Sequence, residues 1–108
     1  MTRVKSGVLV SAALRYADAV LIDCVLARRG DADAGAIFVH IDALDGRHKL
    51  LARNLNLEGQ YEWHIITNTE WVDAEAASTR LATEMKTDRD AFIIAVCDKD
   101  ARNPFDAL

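Results

Sequence analysis

The dipeptide Asp45-Gly46 constrains this chain more than any other feature. It lies between two runs in which apolar side chains tend to alternate, Ile37 to Ala43 and Arg47 to Arg53. A type I′ turn needs positive φ at both central residues, which suits Asp-Gly and makes a β-hairpin the expected form of this stretch. With Asp45 and Gly46 as the two turn residues, Leu44 faces Arg47, Ala43 faces His48, Ile41 faces Leu50 and Val39 faces Ala52. Except for Leu44 and Arg47, which stand on the other side, those positions make with Ile37 a core-facing side. The other side pairs Asp42 with Lys49, His40 with Leu51 and Phe38 with Arg53, and is wetter. A slip of one residue would exchange the faces, so everything derived from this side rests on the turn assumption.

The flanking sequence supplies the remaining elements. Val10, Leu14, Ala17 and Leu21 recur at helical spacing, so residues 8–21 read as a helix, with Ser6 or Ser11 as its cap. Leu21 to Ala27 reads as a strand, and Gly30 to Gly35 as a loop whose glycines and aspartates favour turns. Residues 54–60 form a second loop, turning at Glu58-Gly59. Tyr61 to Ile66 is a strand in which Tyr61, Trp63 and Ile65 share a face. Asp73 is placed to cap a second helix, whose buried stripe is Ala74, Ala77, Leu81 and Met85. Ala91 to Cys97 is apolar on both faces, as an interior strand must be. In the polar tail, Phe105 and Leu108 are candidates for docking.

The order α-β-β-β-β-α-β predicts an α+β protein: two layers, a mostly antiparallel five-stranded sheet with two helices, in a single domain spanning 1–108. The fifth strand is expected to return beside the first and run antiparallel to it. Two helices of this size are expected to cover one sheet face, leaving the other as a candidate homodimer surface.

Composition bounds the function. The chain is 51% apolar and 28% charged, with one proline, five glycines and no fixed-period repeat, an ordinary globular balance. No run is long enough to span a membrane. Arg3 and Lys5 precede a short apolar run, but Arg15 and Asp18 follow at once, so this start reads as part of the fold rather than as a secretory signal. Net charge is −4, unevenly spread: +2 over residues 1–53 and −6 over residues 54–108. The acidic second half argues against general nucleic-acid binding, which needs clustered positive charge. Cys24 and Cys97 lie in apolar runs without metal or redox spacing, and read as buried reduced thiols rather than a disulfide.

No nucleophile elbow, P-loop or dinucleotide fingerprint is present, so no catalytic residue and no cofactor is assigned. Asp31, Asp33 and Gly35 resemble the start of a calcium loop, but Ala36 and Asp42 stand where that loop needs Gly and Glu. Of the three histidines, the derived register puts His40 and His48 on opposite faces, so no metal site is expected. What remains is a basic–aromatic face of Phe38, His40, Arg47, Lys49 and Arg53, with Arg28, Arg29 and Asp31 at the strand end. Such a face can hold an anionic ligand, an acidic partner or single-stranded RNA through charge and stacking. The alternative is a solvated sheet face whose Arg stems cover apolar surface.

Arg28-Arg29-Gly30-Asp31, then Ala34-Gly35 before a strand, and later Asp88, Asp90, Phe92 and Asp98, resemble a family of small bacterial proteins, domain-of-unknown-function family 1491. The resemblance spans nearly the whole chain. It departs at Ala95, where relatives tend to carry Glu. It implies a cytoplasmic bacterial protein and brings no activity with it. The expected function is therefore a non-enzymatic binding or interaction module. An RNA- or anion-binding module on the hairpin face is the alternative, and a small enzyme near Arg28, Arg29 and Asp31 is the third reading.

Overall fold

A computed structural model describes residues 4–108, so Arg3 of the basic start lies outside the described residues. The elements follow the expected order: helix α1 (Ser6–Ala19), strands β1 (Asp23–Arg28), β2 (Ile37–Asp42), β3 (His48–Leu55) and β4 (Tyr61–Ile65), helix α2 (Ala74–Thr87) and strand β5 (Phe92–Cys97). A short 3-10 turn, Pro104–Ala107, closes the chain. The fold is α+β, with the five strands in one sheet ordered β1-β5-β2-β3-β4. Three pairings are antiparallel. The β2–β5 pairing is parallel, because α2 carries the chain from the β4 edge back across the sheet to insert β5 between β1 and β2. The expected antiparallel neighbour of β1 is therefore correct, and β5 is buried on both faces as its sequence requires.

The hairpin register differs from the expectation by one residue. Phe38 pairs with Ala52, Val39 with Leu51, His40 with Leu50, Ile41 with Lys49 and Asp42 with His48. Leu44 joins Asp45 and Gly46 in the turn, at φ 64° with Gly46 at φ 90°, and the Ala43 N–H donates to the Arg47 carbonyl at 3.0 Å. Side chains draw Leu44 in. The Asp42 carboxylate accepts from the Leu44 N–H at 2.8 Å, and Asp45 accepts from the Arg47 N–H at 3.1 Å. The apolar pattern did not forbid the slip, because Leu50 (0% exposed) and Leu51 (8%) are adjacent and both buried.

Both can be buried because the helices lie on opposite faces, not on one. Val10, Ala13 and Ala17 of α1 pack on Ile37, Val39, Ile41, Leu51, Ile94 and Val96. Leu81 of α2 packs on Phe38, Ala52 and Ala91, the other side of the sheet. The wholly uncovered face expected for a dimer is thus partly occupied. Asp73 caps α2 as expected, accepting from the Ala76 N–H at 2.8 Å. Neither Ser6 nor Ser11 caps α1. Ser6 instead donates its buried hydroxyl to the Gly35 carbonyl at 2.7 Å.

The Gly30–Gly35 loop straddles the start of β5, which separates β1 from β2. The Asp31 N–H donates to the Asp90 carbonyl at 2.8 Å, and the Gly7 N–H to the Ala32 carbonyl at 2.8 Å. A side chain on Gly30 would overlap the Asp90 carbonyl and the Ala91 backbone, and a Cβ on Gly35 would lie 2.6 Å from the same oxygen. Close backbone approach therefore accounts for both glycines. Cys24 and Cys97 pair with neighbouring but different residues of the antiparallel partner, so their side chains point to opposite faces, and both are free thiols. Burial, with Asp23 beside it, pushes the Cys24 thiol up to about 11.

Candidate functional site

The one-residue slip redistributes the expected basic–aromatic face. Arg47, Lys49 and Arg53 share the α1 side of β3 with Leu51, whereas Phe38 and His40 lie on the α2 side. Arg28 is fixed elsewhere: its guanidinium donates to the Arg89 carbonyl at 2.6 Å and meets the Met85 sulfur at 3.4 Å. Arg29 lines a separate shallow depression beside Lys5 and Arg15. Asp31 serves its own loop, accepting weakly from the Asp33 N–H at 3.4 Å. The eight residues are thus distributed over at least three places.

On the α1 side, two basic groupings form. Near the hairpin turn, Arg47 and Lys49 both lie against Trp71, their cationic centres 4.4 and 4.5 Å from its ring centroid. Each is also paired, Arg47 with Asp45 at 2.8 Å and Lys49 with Glu70 at 3.3 Å. Those charges are largely spent within the protein.

Arg53 is different. The loop after β3 returns through Asn56, whose side-chain oxygen accepts from the Glu58 and Gln60 N–H groups, both at 2.9 Å. This places Trp63 directly across from Arg53, and Tyr61 across from Leu55. The Arg53 guanidinium stacks over the Tyr61 ring at 3.9 Å. Among the described residues no carboxylate comes within ion-pair distance of it. It is half-buried, and desolvation pulls its pKa below the usual guanidinium value, although it stays charged. Beside it the sheet, α1 and the C-terminal turn enclose a groove of about 860 Å³. Its floor is Trp63 against Phe105, ring centroids 4.9 Å apart and planes tilted by 42°. Leu9, Val4 and Leu108 extend its apolar wall. A second hollow of about 290 Å³, next to Ser6 and Gly35, also opens onto Arg53 and Tyr61.

Sequence reasoning named Arg53 and expected Phe105 as a docking candidate, but missed their conjunction. The signal was available: pairing Leu55 with Tyr61 across the Glu58-Gly59 turn sets Arg53 beside Trp63.

On the α2 side the slip brings His40 and His48 together. His40 Nε2 and His48 Nδ1 are 2.9 Å apart, with ring centroids at 5.1 Å. His48 Nε2 faces Asp42 Oδ1 at 3.9 Å. Burial, and then the neighbouring His48, hold the His40 pKa below its usual value, while Asp42 opposes them. Among the described residues, no three His, Cys, Asp or Glu side chains converge to cage a metal.

Fold and groove together define a small α+β protein with an open five-stranded sheet, a helix on each face, and an apolar cleft marked by Arg53, which has no carboxylate partner among the described residues. Residues 4–106 match the family described as Protein of unknown function (DUF1491), and the chain belongs to it. No curated protein matches the sequence. The fold is similar to the crystal structure of a DUF1491 family protein from Caulobacter crescentus CB15, at TM-score 0.84 and 22% identity, covering 94% of each chain. An NMR structure of a DUF1491 family protein from the same organism gives TM-score 0.83 at 22% identity, over 96% of this chain and 94% of that one. The solution structure of protein Atu0922 from A. tumefaciens gives 0.74 at 24% identity, over 89% and 86%. At such identities these likenesses establish the fold alone. No helix among the described residues is long and apolar enough to cross a membrane.

Proposed function

We propose that this protein is a non-enzymatic binding module whose working surface is the groove beside Arg53. Its ligand is a small organic anion with an apolar or aromatic body. The observation that supports this most is the Arg53 guanidinium: half-buried, stacked on Tyr61 and lacking a carboxylate partner among the described residues. A desolvated cation without a counter-charge is costly for a protein to keep, and an incoming carboxylate or phosphate would relieve that cost with charge-assisted hydrogen bonds. The groove's volume lies within the usual range for small-molecule sites, and the Trp63–Phe105 floor offers aromatic surface for the ligand's body. Asp106 and Glu58 also line the groove, and their charge disfavours a polyanion such as nucleic acid more than a ligand with a single anionic group.

The probe 8-anilinonaphthalene-1-sulfonate combines an aromatic body with one anionic group. Saturable binding of one probe per chain is expected, at least about ten-fold weaker for Arg53→Gln, which corresponds to the loss of one charge-assisted contact. Circular dichroism checks that the variant keeps its fold. Equal affinity for the natural chain and Arg53→Gln would contradict the proposal.

A further inference from the structure

We propose that His40 and His48 form a two-imidazole clasp for a late first-row divalent metal ion, Cu(II) or Zn(II). The site is separate from the Arg53 groove and lies on the opposite face of the sheet.

The geometry comes from the hairpin. Asp42 pairs with His48 across β2 and β3, and His40 stands two residues before Asp42 on the same face. Two ring nitrogens from adjacent strands thereby converge at 2.9 Å. Two imidazoles bound to one tetrahedral ion, with metal–nitrogen bonds of about 2.0–2.1 Å, hold their nitrogens about 3.3 Å apart. Opening the pair by about 0.4 Å, with both rings turned so that their lone pairs meet at one point, would admit the ion.

The surroundings suit the task. His48 turns Nδ1 toward His40 and Nε2 toward Asp42 Oδ1, 3.9 Å away. A ligating histidine commonly donates its other nitrogen's proton to a carboxylate, and Asp42, at 3.9 Å, stands on the side where its negative charge favours a proton on His48 Nε2 without a direct hydrogen bond. The Asp42 carboxylate is itself anchored by the Leu44 N–H at 2.8 Å.

The proton count balances. With the His48 proton on Nε2, toward Asp42, His40 donates Nε2–H to the Nδ1 lone pair of His48 in the metal-free pair. On binding, the His40 proton moves through solvent from Nε2 to Nδ1. Both facing nitrogens then offer lone pairs to the ion, and no net proton is released. No third His, Cys, Asp or Glu among the described residues completes a cage, so the remaining positions are left to water or an external ligand. Imidazole favours Cu(II) and Zn(II) over Mg(II), which prefers oxygen.

The test is calorimetric titration of the full chain with Cu(II), Zn(II) and Mg(II) salts. The natural chain is expected to bind one Cu(II) or Zn(II) and no Mg(II). His40→Gln should weaken this at least about ten-fold, whereas His64→Gln, on the exposed β4 edge, should leave it unchanged. Because His48 is buried and its replacement risks the fold, the second measurement uses the natural chain. Electron paramagnetic resonance of bound Cu(II) should show two imidazole nitrogens. Absence of one-to-one binding, equal affinity for His40→Gln, loss of binding in His64→Gln, or fewer than two nitrogens on Cu(II) would each overturn the proposal.

Discussion

Gly30 and His40 show how differently single residues were legible. The Arg-Arg-Gly-Asp stretch stands out in sequence and invites a chemical reading. In the fold, Gly30 is needed because the loop passes against the Asp90 carbonyl and the Ala91 backbone. Gly30→Ala should therefore destabilise the protein by about 1–3 kcal/mol through backbone overpacking, measured as a lowered midpoint in urea. His40 went the other way. Its sequence position reveals nothing, because its partner depends on a register that a single residue can change. Its native pKa is held below the unfolded value, so the unfolded chain takes up that proton first. This histidine costs no stability above the unfolded value near 6.5, and an increasing amount as the pH falls from there through its lower native pKa. Urea unfolding at pH 7.5 and 5.5 should show a drop that is smaller in His40→Gln. An undiminished drop would remove His40 from the account.

The elements were legible where local chemistry decides them. Asp73 caps α2 through the bond expected of it, and Asp73→Ala should cost about 1 kcal/mol by thermal or urea unfolding, with the sheet unchanged. Strand β5 was readable as interior because its residues are apolar on both faces. The hairpin was readable as a hairpin, but not in its register. Asp42 and Asp45 both accept backbone N–H groups and pull Leu44 into a three-residue turn. The adjacent Leu50 and Leu51 then satisfy either register when both faces of the sheet are covered.

At the scale of the whole molecule, the α+β class and the order of elements were legible, while the placement of the helices was not. No local pattern tells α2 to lie opposite α1; that follows from the crossover that inserts β5 between β1 and β2. The hairpin register puts Phe38 on the α2 side, away from the basic residues, and docking Phe105 builds the groove on the α1 side. Long-range assembly of this kind made the site: Arg53 was visible in the sequence, but its aromatic floor was not. The chain has two tryptophans, one in each basic grouping, Trp63 in the groove and Trp71 beneath Arg47 and Lys49. The most direct test of the account is therefore to follow both indole N–H resonances by NMR while titrating 8-anilinonaphthalene-1-sulfonate. The Trp63 signal is expected to shift saturably while the Trp71 signal stays in place, with the shift lost in Arg53→Gln. A shift confined to Trp71, or a Trp63 shift that survives Arg53→Gln, would contradict it.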